Sequence, residues 1–282
     1  MIIVDYSSVT HSNLISHMIE NPTLQINEGL LRHMILNTIR SIYKRFKNDY
    51  GEELIIACDS SNSWRKDSFP YYKANRKEKR DSFNIDWDMF FDLSSSVKEE
   101  IEKNFPYRVV YAPRAEADDV IAVIVRNTNQ KVLIASRDKD FIQLHVNSNV
   151  EQFDPITKGF MKVDDPRKHL KELIIRGDKS DGIPNFLSPD NCFVIGERQK
   201  SITAKKLPEW MEMETYQDPV MSRNYERNRI LIDFSYIPSE VSQNIMDKYR
   251  EECKKIISDK SKIFNYFMDK RLKDLMENIN DF

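Results

Sequence analysis

Ala115-Glu116-Ala117-Asp118-Asp119-Val120-Ile121-Ala122, followed closely by Ser136-Arg137-Asp138-Lys139-Asp140, is the stretch on which the reading of this chain turns. The first part reads as the opening of a helix with three carboxylates. The second puts two more after Val132-Leu133-Ile134-Ala135, an apolar run of strand length. On a helix, Ala117, Ile121, Ile124 and Val125 share one face; Asp118 stands at its edge, and Asp119 turns to the polar side. A carboxylate facing a core needs its charge met. With no Arg or Lys on that face, a metal ion is the expected counter-charge.

Working outward, Ile2-Ile3-Val4 ends in Asp5, and Leu54-Ile55-Ile56-Ala57-Cys58 ends in Asp59. Both have the pattern of buried parallel strands. Residues 27 to 46 between them predict a helix, with Leu31, Met34, Ile35, Ile39, Ile42 and Phe46 in register and Asn27 as cap. Strand, helix and strand make a βαβ unit. A helix from Trp87 to Asn104 and a strand Val109-Val110-Tyr111 follow. Three strands thus end in acid and a helix begins in acid, and in an open parallel sheet such ends share one edge. The expected fold is α/β: a mostly parallel central sheet flanked by helices, with a helical C-terminal domain.

The spacing further predicts a hairpin between Val150 and Val163 and a helix over 167–175 stopped by Gly177. Asp178-Lys179-Ser180-Asp181-Gly182-Ile183-Pro184 reads as a loop, and the remainder as helical to the end. The expected boundary lies near 165, with a catalytic domain 1–165 and a helical domain 166–282. Leu231-Ile232-Asp233-Phe234 echoes the first strand, but Asp233 has no acidic companions and reads as structural.

Lys and Arg number 43 against 45 Asp and Glu, a net charge of −2, so distribution matters more than the sum. No run approaches a membrane span, and Met1-Ile2-Ile3 begins without a signal segment, so a cytoplasmic location is expected. Three cysteines without a C-x-x-C pair fit a reducing compartment and exclude a zinc knuckle. Residues 64 to 80 carry seven basic against two acidic residues, interleaved with Trp64, Phe69, Tyr71 and Tyr72. Cations neutralise phosphates and aromatic faces stack on unpaired bases. The competing reading is an amphipathic helix whose aromatics pack on the body.

Asp5, Asp59, Glu116, Asp118, Asp138, Asp140, Asp178 and Asp181 are expected at one edge. Singly, each has an ordinary role as a cap or turn residue. Together they would repel and raise one another's pKa unless divalent cations neutralised them. All-oxygen ligands favour Mg²⁺ or Mn²⁺, and two such ions suit phosphodiester hydrolysis. There is no Ser-His-Asp pattern, G-x-S-x-G or P-loop, and His11, His17, His33, His145 and His169 show no ligand spacing. A haloacid-type phosphatase would need a second Asp where Ser7 stands.

Val4-Asp5, Cys58-Asp59, Glu116-Ala117-Asp118-Asp119, Ser136-Arg137-Asp138-Lys139-Asp140 and Gly177-Asp178-Lys179-Ser180-Asp181 together resemble the flap endonuclease and 5′-nuclease family. Within it, the likeness is to the ribonuclease H group of T-even-type bacteriophages, and it covers nearly the whole chain. It implies a PIN-like, Mg²⁺-dependent 5′-to-3′ exonuclease and flap endonuclease that removes RNA primers and adjacent DNA. Two ions are implied, with Mn²⁺ as a substitute. Asp5, Asp59, Asp118 and Asp138 look like the first metal cluster. Glu116, Asp140, Asp178 and Asp181 look like second-metal or water-mediated ligands. The segment 64–104 is similar to the family's arch over a single-stranded 5′ end. Lys73 and Arg76 then look like phosphate contacts, with Arg65, Tyr72, Lys79 and Arg80 beside them. The stretch after Gly177 resembles a duplex-gripping element, but its usual Gly-Ile-Gly-x-Lys-Thr continuation is missing. Arg198, Lys200 and Lys205 are the candidate contacts there.

The implied partners are RNA–DNA hybrid and flapped or nicked duplex DNA. A replication single-strand-binding protein and a sliding clamp are further candidates; the chain is expected to be a monomer away from membranes. A catalytically idle nucleic-acid-binding scaffold and a PIN-type endoribonuclease are the alternatives. A requirement for a free 5′ end separates the latter from a 5′-nuclease.

Overall fold

The computed structural model describes residues 1–20, 27–83, 85–255 and 260–282, with the side chains of 19, 20, 78 and 79 left aside. Short apolar runs build the sheet: β1 (Ile2–Asp5), β2 (Leu54–Ala57), β3 (Arg108–Val110) and β4 (Val132–Ala135), then β5 (Val150–Asp154) and β6 (Gly159–Met161). Their order is β3-β2-β1-β4-β5-β6. All neighbours are parallel except the β5–β6 hairpin. The direction of winding reverses between β1 and β4, where Val4 lies opposite Ala135. Open α/β sheets form crevices at that switch point.

The pleat sends Ile2 and Val4 to one side and Ile3 to the other, so each face carries its own core. The first face is covered by α1 (Tyr6–Glu20), by α2 (Glu28–Tyr50), and by a helix reached after two short ones. Those are α3 (Arg65–Ser68) and α4 (Arg76–Asp81), leading to α5 (Trp87–Asn104). Asn27 caps α2 by accepting the Leu30 N–H at 2.7 Å, as its sequence position predicts. The second face is covered by α6 (Ala117–Arg126), whose residues from Ala117 to Val125 are buried except Asp118. A 3₁₀ helix, Lys139–Val146, follows β4 and adds Phe141 and Leu144 to this core.

Downstream come α7 (Pro166–Arg176), α8 (Leu207–Glu212), α9 (Pro219–Ile232), α10 (Ser239–Lys254), α11 (Lys260–Asp269) and α12 (Lys273–Glu277). The expectation of helix to the end is corrected between 177 and 206, where turns replace helix. Buried Asn224 and Asn228 on α9 hold this stretch: their side-chain amides donate to the carbonyls of Phe186, Ser188 and Pro184. The loop is organised by side chains because it has almost no backbone ladder of its own. Asp233 accepts the Ser235 N–H at 2.8 Å, an ordinary cap.

Residue 165 marks a change of element type rather than a break in packing. Val241 and Ile245 of α10 belong to the α6 core, and Phe267 of α11 meets Phe105 and Phe282 in the other. Among the described residues, no helix is long and apolar enough to cross a membrane.

Shared cores predict shared unfolding. Phe267→Ala should cost about 3–5 kcal/mol and shift the unfolding of both halves together. Urea titrations followed by Trp fluorescence and by circular dichroism should give coincident curves; two separated transitions would show that the halves fold apart.

Candidate active site

Asp5 ends β1, Asp59 lies two residues beyond β2, and Asp138 lies three beyond β4, so the parallel strands deliver all three to one edge. Asp118 arrives from the first turn of α6. Asp178 and Asp181 come from the loop after α7, where Gly177 (φ 66°) turns the chain so tightly that a Cβ would lie 2.4 Å from the Ile183 carbonyl oxygen.

The acids are held by neutral donors. Asp5 accepts the Ser8 N–H at 3.0 Å and the Ser136 hydroxyl at 3.0 Å. Asp59 accepts the Ala117 N–H at 2.9 Å on one oxygen and the Ser7 hydroxyl on the other. Asp138 accepts the Asp140 N–H at 3.0 Å, and Asp178 accepts the Ser180 hydroxyl at 2.7 Å. The carboxylates of Asp118 and Asp140 have neither hydrogen bond nor ion pair among the described residues. Among these residues, no three acids close on one point as the ligands of a single ion.

Electrostatics nonetheless bind them into one cluster. Burial, reinforced by the charges of Asp59 and Asp138, pushes the Asp5 carboxyl up to about 7 against its hydrogen bonds from Ser8 and Ser136. Burial and the charges of Asp138 and Asp5 carry Asp118 well above the usual range. Burial with Asp138, Asp178 and Asp181 does the same for Asp140. Such a set is poised for cations: all its donors are oxygens, and two members lack any partner.

Over this edge folds the basic segment. Lys73 takes a left-handed backbone conformation (φ 58°), donates its N–H to the Asp181 carbonyl at 2.7 Å, and pairs through Nζ with Glu116. Arg76 pairs with Asp181. The Tyr72 hydroxyl lies 2.8 Å from both Glu116 Oε2 and Asp181 Oδ2. Burial alone would raise Glu116 and Asp181; Lys73, with Arg65 for Glu116 and Arg76 for Asp181, outweighs it and holds both below the usual range.

Three expectations are corrected here. Asp119 does not face the polar side: it is fully buried and takes the Arg65 guanidinium, the Trp64 indole N–H at 3.1 Å and the Glu116 N–H at 2.9 Å. Arg65 is no nucleic-acid contact. It is buried between Asp119 and Glu116, with Nε donating to the Leu231 carbonyl at 2.8 Å. Tyr72 is likewise buried and bound to acids, and Trp64 and Phe69 pack inside, so these rings are closed to stacking. The rings facing a cleft come later in the chain. A cleft of about 840 Å³ opens beside Asp59, and Phe83, Trp87 and Phe91 line it with Arg76 and Arg80. Trp87 and Phe91 opened a predicted helix, and nothing in their spacing marks them as cleft residues.

Arg80 is half-buried, its guanidinium 5.4 Å from the centre of the Phe91 ring. The Lys79 side chain lies outside the described residues. Arg198, Lys200 and Lys205 are exposed on the long loop, away from any ion pair among the described residues. Local sequence also gave no sign of the residues that hold the acids. A serine next to a strand-end acid, as at Ser7 and Ser136, is the one available hint.

Strand order, acidic edge and basic cover define an α/β enzyme of the PIN-like nuclease class. Residues 1–173 match the N-terminal resolvase-like domain of 5′-3′ exonucleases, and residues 166–282 match the C-terminal region of T4 RNase H. Ribonuclease H of Enterobacteria phage T4 is 32% identical over 295 residues, spanning 99% of this chain and 95% of that protein. A 5′-3′ exonuclease of Buchnera aphidicola is 31% identical across 53% of each chain. The bacteriophage T5 flap endonuclease, solved with DNA and metal ions, shares the fold with a TM-score of 0.61 at 18% identity, over 90% of this chain and 99% of that one. The chain belongs to the 5′-3′ exonuclease family together with T4 ribonuclease H, and it is a nuclease.

Two predictions follow from the charges. Asp5 binds a proton near pH 7 in the folded state but near its ordinary, lower value when unfolded. Between those values the folded chain holds more protons, so this contribution to stability is present at the acid end and is lost as pH rises through 7. In EDTA, Asp118→Asn should therefore raise the melting temperature at pH 8 and bring less gain at pH 5. An equal change at both pH values would contradict the coupling. Asp119→Ala should instead cost about 3–5 kcal/mol, because it strands a buried Arg65; a neutral effect in denaturant titration would refute that pairing.

Proposed function

We propose that this nuclease is a divalent-metal-dependent 5′-to-3′ exonuclease and flap endonuclease that removes RNA primers and adjacent DNA in phage lagging-strand replication. One observation carries the reading: mutually repelling carboxylates at the switch point, two without partners, beneath a cover of cations. Similarity to the T4 ribonuclease H, 32% identical over 99% of this chain, supports the substrate class.

Asp5, Asp59, Asp118 and Asp138 would hold one Mg²⁺. Glu116, Asp140, Asp178 and Asp181 would reach a second, in part through water. Bound there, the pair supplies an activated water and charge neutralisation at the scissile phosphate. Lys73 and Arg76 would bind the phosphate, exchanging part of their contact with Glu116 and Asp181 for the incoming anion. Unpaired bases of the 5′ end would stack in the cleft on Phe83, Trp87 and Phe91, with Arg76 and Arg80 beside the backbone. Residues 1–165, joined by Asp178 and Asp181 from the loop after α7, would carry the reaction. Residues 166–282 would hold the duplex by its phosphates, using Arg198, Lys200 and Lys205.

The test is cleavage of a 5′-labelled RNA-primed duplex and a matched 5′-flap, in Mg²⁺ and in EDTA. Asp118→Asn and Asp138→Asn should each lower cleavage at least about 100-fold while binding is kept. Lys73→Ala should cut slowly without unfolding. Metal-independent cleavage, or full activity in either Asp variant, would overturn the assignment.

A further inference from the structure

The acids whose spacing matters most to this reading, Asp5 and Asp138, belong to different strands and never touch through their own side chains. What joins them is uncharged. Ser136, fully buried, donates its hydroxyl to Asp5 Oδ2 at 3.0 Å and accepts the Asp138 N–H at 3.1 Å. Gln152, also fully buried, donates from Nε2 to the Ser136 carbonyl at 2.9 Å and to the Asp138 carbonyl at 2.6 Å. Only the amino end of the amide can serve two carbonyls, so its orientation is dictated.

The geometry of the chain explains why these contacts are needed. β4 ends at Ala135, and the last ladder bond in this region runs from the Ser136 N–H to the Phe153 carbonyl at 3.1 Å. Past that point the backbone leaves the sheet, and its carbonyls have no next strand to meet. The Gln152 amide, rising from β5 opposite Ile134, takes the place of the missing ladder. Buried N–H and O–H donors are costly unless bonded, and here the bonds of the Gln152 Nε2 and the Ser136 hydroxyl hold one three-residue turn in place, while the Gln152 Oε1 is left buried without a hydrogen-bond partner among the described residues.

We propose that Ser136 and Gln152 are positioning residues that set the distance between Asp5 and Asp138, and so the affinity of the site for divalent metal. The inference rests on the reading of both acids as metal ligands. It assigns Ser136 and Gln152 no contact with substrate.

The test is a titration of the full chain with Mn²⁺, followed by the electron paramagnetic resonance signal of the free ion. Thermal melts in EDTA and binding of a 5′-flap in EDTA run alongside. Gln152→Leu and Ser136→Ala should each weaken Mn²⁺ binding about 10- to 100-fold while flap binding in EDTA matches the parent. If Gln152→Leu fails to fold, Ser136→Ala, which removes one oxygen, carries the test alone. Variants that melt lower yet bind Mn²⁺ as tightly as the parent would overturn the positioning role and leave the metal reading standing. A parent chain with no saturable Mn²⁺ binding would overturn the metal reading itself, and this inference with it.

Discussion

Arg65 is a buried cation whose guanidinium faces both oxygens of Asp119 and one of Glu116, while its Nε reaches the Leu231 carbonyl at the end of α9. Three distant parts of the chain meet there: the base of the basic segment, the first turn of α6 and the C-terminal end of α9. A guanidinium suits the place because it stays charged when buried and offers several donors in fixed directions. With Asp119 neutralised by Arg65, the acidic opening of α6 can lie against the sheet. Asp118, one residue earlier, is left facing the crevice without a partner. The contrast between two adjacent carboxylates, one satisfied and one not, is the physical basis of the site.

The same logic extends across the edge. Glu116 and Asp181 are drawn below their usual pKa range by Lys73 with Arg65 and Arg76, while Asp5, Asp118 and Asp140 are driven above it. Cations and acids are therefore interleaved, and a phosphate arriving with divalent ions would find both kinds of charge prepared. The loop from Gly177 to Ile183 is tied to the turn around Lys73 by the Lys73 N–H on the Asp181 carbonyl and by the Asn75 and Arg76 side chains on the Lys179 and Ser180 carbonyls, which links the cover to the acids. The long stretch from 177 to 206 is organised by the asparagines of α9 instead of by helix.

Much of the frame was legible in the residues. Apolar runs of strand length marked four strands, Asn27 marked a helix start, and Gly177 marked a helix stop, because those signals act over a few residues. The helix from Tyr6 to Glu20 is not legible in the residues: its Ser, Thr, Asn and His residues leave no clear apolar stripe. The 3₁₀ helix after β4 is hidden for a different reason: its cap Asp138 and its Asp140 invite a reading as ligands alone. The residues of 64–72 leave open whether the aromatics stack on bases or pack on the body, and Trp64, Phe69 and Tyr72 take the second course: they are core.

Sequence alone determined which residue types end the strands, and with them the class of fold and the chemistry of an acidic edge; both depend on local pattern and on like charges gathering where parallel strands end. Tertiary structure decided which acids are free and which are bound. That choice belongs to Arg65, Lys73 and their partners, which lie tens of residues from the acids they bind. A helical period can assign a carboxylate to a face, but only the packed fold says whether a cation is waiting there.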